Sequence, residues 1–84
     1  MTTVRMLFFA HLQDVAQARE LAVTLPAEAT VRDAADVLAA RAAGFENLLT
    51  LTRVAVNAEF ADADTVLKDG DEVAWMPPMS GGAQ

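Results

Sequence analysis

The 84-residue sequence contains no cysteine. That excludes disulfides, thiolate metal centres and cysteine nucleophiles, so any sulfur chemistry must run through something other than a side-chain thiol. Histidine occurs once, at position 11. No aspartate, glutamate or cysteine clusters around His11 at ligand spacing, so no metal site is expected. The acidic residues are scattered, and paired-carboxylate catalysis has no motif to rest on. There is no run of about 18 apolar residues, so no membrane-spanning helix is expected. The opening Met-Thr-Thr-Val-Arg-Met carries one base and only a short apolar run before His11, which reads as a strand and not as a signal peptide. A cytoplasmic location is the expectation. Basic residues are few: Lys and Arg total 6 against 12 Asp and Glu, for a net charge of −6. Such a chain is repelled by nucleic-acid phosphates and anionic lipid, so neither nucleic acid nor membrane is expected as a partner. The charge suits partners with basic patches, or serves solubility alone.

The hydrophobic fraction is 54% and the charged fraction 21%, the composition of a folded globule. A chain this short forms one domain and buries only about 60% of its unfolded surface. A deep catalytic cleft is therefore not expected, and a surface or a tail is the place to look for function.

Thr3 to Ala10 reads as a strand, with Val4, Met6 and Phe8 on the core side and Arg5, Leu7 and Phe9 on the other. His11 to Arg19 suggests a short helix or helical turn. Glu20 to Leu25 alternates as a half-buried strand stopped by Pro26. The spacing predicts the main helix from Val31 to about Ala42. Thr30 is its N-cap, Asp33 completes a near capping box, and Val31, Ala34, Ala35, Leu38 and Ala42 form its apolar stripe. Gly44 is expected to close it in the left-handed conformation. A loop around Phe45 to Leu51 leads to a third strand, Arg53 to Ala58. Thr65 to Leu67 reads as a short strand or turn, and Asp69-Gly70-Asp71 as a turn. The last strand is Glu72 to Met76, with Val73 and Trp75 inward and Glu72, Ala74 and Met76 outward. Pro77-Pro78 ends strand pairing, since proline has no N–H to donate. The expected core is Phe8, Val31, Leu38, Val54, Val56, Val73 and Trp75.

The result is an α+β domain over residues 1–78, a mixed sheet covered on one face by one main helix, followed by a flexible tail over residues 79–84 that contains Gly81-Gly82. The element order admits a β-grasp or a ferredoxin-like fragment. Phe9 and Met76 share a face with Arg5 and Glu72 instead of with the core set. An aromatic ring and a soft methionine placed there, beside a tail, suggest a docking surface, the alternative being an irregular second core.

The run Asp69-Gly70-Asp71-Glu72-Val73-Ala74-Trp75-Met76-Pro77-Pro78-Met79-Ser80-Gly81-Gly82 resembles the end of molybdopterin synthase small subunits, the MoaD-type members of the MoaD/ThiS sulfur carriers. The opening Leu7-Phe8-Phe9-Ala10 and the central Val56-Asn57 resemble them too. Thiamine-pathway carriers share the fold and the Gly-Gly, whereas the proline pair is more typical of the molybdopterin branch. The resemblance implies a ubiquitin-like β-grasp fold. It implies that the Gly82 carboxylate, with Gly81 beside it, is adenylated by an ATP-dependent (MoeB-type) enzyme. Sulfide then displaces AMP to leave a glycine thiocarboxylate, which donates sulfur to a pterin precursor inside the large (MoaE-type) subunit. Those two covalent states are transient, and no bound cofactor is implied. Phe9, Met76, Pro77, Pro78 and Met79 are the partner-binding residues expected, the first two from their place on the strand faces.

Glycine suits the role because a tail without Cβ atoms threads a narrow channel, while the prolines stiffen its root and aim it away from the sheet. One feature departs from the family pattern. Ala83-Gln84 follow the second glycine and hold the Gly82 carboxyl in a peptide bond. Either a protease trims the tail, or the chain is a precursor, a relative with another role or a paralogue with an alternative ending. The competing functions are a carrier for thiamine or another sulfur metabolite, a ubiquitin-like protein modifier, and a plain interaction domain.

Overall fold

In the first strand, β1 (Thr2–Phe8), strict alternation buries Thr2, Val4, Met6 and Phe8 and leaves Thr3 and Arg5 in solvent. The computed structural model describes residues 1–77. The boundary expected at residue 78, and the tail beyond it, lie outside the described residues. After β1 a single helical turn, α1 (Leu12–Ala16), is ended by Gln17 in the left-handed conformation. It returns the chain into β2 (Glu20–Leu25), antiparallel to β1 with Val23 opposite Val4 and Leu21 opposite Met6.

The main helix, α2 (Val31–Arg41), starts where the sequence places it. The Thr30 hydroxyl accepts the Asp33 N–H at 3.3 Å, and the Thr30 N–H donates to the Asp33 carboxylate at 2.9 Å, a complete capping box. Val31, Ala34, Ala35 and Leu38 are buried and join the sheet side chains in one core, while Ala42 is half-buried. The helix end differs from the expectation. Ala42, in an extended conformation, caps it through its N–H to the Leu38 carbonyl, and Gly44 sits two residues further on at φ +107°. Gly44 is needed for space as well as for angle, because a Cβ there would lie 2.8 Å from Val15 Cγ1. The segment expected as loop holds a further helical turn, α3 (Leu48–Leu51). Phe45 and Leu48 reach into the core there, the Phe45 ring lying 5.6 Å from that of Phe8.

The remaining strands are β3 (Arg53–Val56), β4 (Glu59–Phe60) and β5 (Glu72–Met76). The sheet order is β2-β1-β5-β3-β4, with β1 and β5 parallel and the other neighbours antiparallel. This is the expected mixed β-grasp sheet, with α2 across its inner face. The third strand is shorter than anticipated. Asn57 and Ala58, at φ 52° and 71°, make a two-residue hairpin turn into β4. Thr65–Leu67 forms no strand of its own, and only Val66 makes an isolated bridge, to Thr30. Of the expected core, Val56 is half-buried, because it closes β3 at the hairpin near the sheet margin. The others are buried. Trp75 lies at the centre, where its indole N–H donates to Met6 Sδ at 3.3 Å.

The end of the sheet where β5 starts is clamped by side chains. Asn57 donates to Asp71 at 2.9 Å and accepts the Glu72 N–H at 3.0 Å. Asp71 also accepts the Lys68 N–H at 2.8 Å. These bonds set the register in which β5 enters between β1 and β3, and so the direction in which it leaves at Met76.

Candidate functional site

The outer face of the sheet, away from α2, is built by the same alternation that fills the core. Residues paired across a ladder point to the same side. Leu7 of β1 is paired with Ala74 of β5, Ala74 with Ala55 of β3, and Ala55 with Phe60 of β4. One transverse row of four apolar residues therefore crosses four strands on the open side. The next row toward the end of β5 pairs Met76 with Arg53. Phe9 continues β1 beside it, its N–H donating to the Trp75 carbonyl at 3.3 Å.

The two residues chosen from the sequence thus come together at the end of β5 from which the tail departs. Phe9 is 43% exposed and Met76 half-buried. Pro77, half-buried, is the last described residue. Pro78, Met79, Gly81 and Gly82 lie outside the described residues. His11 is exposed just past Phe9.

Phe60 belongs to this surface and escaped the sequence reading. It is 71% exposed, on the outer row, with the Arg53 guanidinium 5.3 Å from its ring centroid. Periodicity could not find it, since a two-residue strand has no period. The available signal was Asn57, a residue that tolerates the left-handed angles of a hairpin turn and so announces a return strand. Beside Phe60, a shallow groove of about 290 Å³ is lined by Leu49, Thr52, Arg53, Val54, Phe60 and Ala61.

Charge frames this apolar surface. Arg5 bridges Glu72 and lies 4.0 Å from Glu20, forming a polar band one row nearer the start of β5. Its guanidinium is held above the usual arginine range, first by the hydrogen bond to Glu72 and then by the charges of Glu72 and Glu20. The arrangement offers apolar side chains and one stacked cation to a partner. Its described residues place no nucleophile beside a general base.

Comparison with known proteins agrees with this fold. Residues 6–82 match the ThiS family. A molybdopterin synthase sulfur carrier subunit of Drosophila erecta is 38% identical, the match covering 94% of this chain and 90% of that protein. Among solved structures, a molybdopterin converting factor subunit 1 from Pyrococcus furiosus superimposes with a TM-score of 0.87 at 29% identity, covering 94% of this chain and 100% of the other. Small archaeal modifier protein 1 of Haloferax volcanii superimposes with a TM-score of 0.79 at 28% identity, covering 94% and 100%.

Proposed function

Because this chain belongs to the ThiS family of ubiquitin-like sulfur carriers, we propose that it is the sulfur-carrying small subunit of a molybdopterin synthase. The observation that carries the reading is the extent of the family match, which runs from Met6 in β1 through β5 and includes Gly81 and Gly82. In this reading the Gly82 carboxylate is converted to an acyl-adenylate by an ATP-dependent enzyme, and sulfide displaces AMP to give a thiocarboxylate. A carboxylate is a poor electrophile, and the adenylate supplies the leaving group that the exchange needs. The carrier contributes the tail and the surface that seats it. Phe9, Phe60 and Met76 anchor the domain on the large subunit and on the activating enzyme, while Pro77, Pro78 and Met79 guide the glycines inward. An anchor is required because a threading tail loses conformational entropy, and a few buried apolar side chains supply most of the energy of such contacts. No helix among the described residues is long and apolar enough to cross a membrane; a cytoplasmic location is part of this reading.

Ala83 holds the Gly82 carboxyl in a peptide bond, so the active form ends at Gly82 after proteolytic removal of Ala83-Gln84. The test is to incubate the 84-residue chain and a form ending at Gly82 with an activating enzyme, ATP and a sulfide source, then weigh both. The shorter form is expected to gain the sulfur-for-oxygen mass difference and the longer one not. Equal loading of the two forms would remove the trimming step. Absence of loading on either would remove the carrier reading.

The structural likeness to an archaeal modifier protein favours a second reading, in which the same activated glycine is passed to amines of other proteins. Lysine-linked adducts of the chain in cell extract would distinguish it from sulfur delivery alone.

A further inference from the structure

Lys68 is the only lysine in the sequence, and the other basic side chains are arginines apart from His11. An arginine guanidinium stays protonated and is no nucleophile, so Lys68 carries the one side-chain amine able to attack an activated carboxyl. Its backbone is held on three sides. Its N–H donates to the Asp71 carboxylate, its carbonyl accepts the Asp71 N–H at 3.0 Å, and the preceding Leu67 is buried with its N–H on the Ala29 carbonyl at 2.8 Å. The side chain itself is exposed, and among the described residues its ammonium pairs with no carboxylate.

The amine does not stand alone. It rims a groove of about 250 Å³ whose apolar walls include Val56, Phe60 and Val66. Val66 is 52% exposed and Phe60 71%, an unusual exposure for two apolar residues beside one amine. From its Phe60 wall, one row from Met76, this groove runs toward the end of the sheet opposite the tail root, where Lys68 stands. Gly70 and Asp69 bond to Thr3 at the start of β1, whereas β5 leaves at Met76, beyond Trp75 and opposite Phe8 at the other end of β1. The length of β5 alone separates the turn that holds Lys68 from the tail root by about 13 Å. For a chain to reach its own Lys68, the tail would have to reverse at Pro77-Pro78 and run back along the sheet. Another copy's tail has no such constraint.

We propose that Lys68 is an acceptor site for the activated Gly82 of a second copy of this chain, so that copies join head to tail through an isopeptide bond. The inference rests on the activation of Gly82 described above. The occupant matches the groove through its side chains: those of Pro78-Met79-Ser80-Gly81-Gly82 carry no charge, so Glu59 and Asp71 at the groove face no acidic side chain of the tail, and the one anion on it is the phosphate of the departing AMP. Pro78 and Met79 match apolar walls, and the two glycines let the acyl carbon approach closely. In the step, Lys68 Nζ, having lost a proton to solvent, attacks the Gly82 carbonyl carbon of the adenylate. The C–N bond forms, the bond to AMP breaks with its electron pair leaving on AMP, and the nitrogen releases its second proton. ATP is consumed in forming the adenylate. Each linkage uses the tail of one copy and the groove of the next, a heterologous contact that extends into a linear chain.

The experiment uses the form ending at Gly82, which retains every described residue, with an activating enzyme and ATP but no sulfide. Intact mass should find a species of two chains less one water, and peptide mapping should find the branch at Lys68. Lys68→Arg should abolish that species while its melting temperature and its thiocarboxylate loading in a parallel reaction with sulfide stay unchanged. A two-chain species that persists in Lys68→Arg, a linkage at the N-terminal amine, or a single chain that has lost one water would each overturn the proposal. So would normal thiocarboxylate loading with no two-chain species, a result that leaves the carrier reading standing. Failure to activate Gly82 at all would overturn both.

Discussion

The two faces of the sheet are made by the same strands and obey different demands. On the inner face, Phe8, Trp75, Val73, Met6 and Val4 are all buried against α2, Phe45 and Leu48 of α3. On the outer face, one residue along in each strand, Leu7, Phe9, Ala74, Met76, Ala55 and Phe60 form an apolar surface in which Ala55 is buried, Leu7, Ala74 and Met76 are half-buried, and Phe9 and Phe60 are exposed, with Arg53 stacked on Phe60. Neighbours in sequence thus have separate tasks: Phe8 holds the fold where Phe9 meets solvent, and Trp75 holds it where Met76 flanks the tail. A side chain surrounded by protein contributes to stability through area and packing. One left half in water contributes little until a partner covers it.

The contrast breaks most visibly at those adjacent pairs. Trp75→Ala and Phe8→Ala are each expected to cost about 3–5 kcal/mol of unfolding free energy, and Leu38→Ala on the helix about 2–5 kcal/mol, measured by denaturant titration. If Phe9→Ala or Met76→Ala cost as much, the two faces would not be distinct. Next in size is the effect on binding. Phe60→Ala should leave stability within about 0.5 kcal/mol of the parent. Its affinity for a molybdopterin synthase large subunit, followed by calorimetry, should fall by roughly thirtyfold in Kd, about 2 kcal/mol. Phe9→Ala should weaken the same complex, and unchanged affinity in both variants would remove the outer face from the interface. Thr30→Ala deletes the hydroxyl of the capping box and should destabilise by about 1 kcal/mol without touching binding. The smallest effect is a gain. Ala58 holds φ 71° in the hairpin turn, an angle that a side chain disfavours. Ala58→Gly should raise the melting temperature by a few degrees, for a gain of up to about 1 kcal/mol. A loss there would mean that the turn is set by β4 contacts and not by local backbone preference.

Much of this was legible because it is local. Thr30 and Asp33 sit three apart before an alanine-rich stripe, and helix geometry alone brings them into the capping box. Alternation assigned Val4, Met6, Phe8, Val73 and Trp75 to one side and Arg5 and Glu72 to the other, as the structure has them. The Pro-Pro and Gly-Gly signals lie in the sequence whatever the fold does. Less legible were features that depend on pairing over distance. The segment Phe45–Leu51 carries too few residues for a helical period, yet α3 forms because Phe45 and Leu48 find the core beside Phe8. Gly44 reads as a helix cap by chemistry, but its place is decided by Val15 from another helix.

By itself, then, the sequence determined which residues form the strands and the main helix, where that helix begins, which side of each strand is apolar, and that the chain ends its last strand in prolines and glycines. Those are consequences of spacing, backbone preference and side-chain chemistry that operate within a few residues. Only the tertiary structure decided that β5 enters the sheet between β1 and β3, that Phe60 is carried onto the outer row beside Arg53, and that Lys68 is held at the end of the sheet opposite the root of the tail. These depend on pairing between segments far apart in sequence, such as Leu7 with Ala74, Ala74 with Ala55 and Gly70 with Thr3, the local β3–β4 hairpin being placed on the row only because β3 pairs with β5. Register across such ladders is chosen by the burial of a whole face at once, a quantity that no local window of the sequence contains.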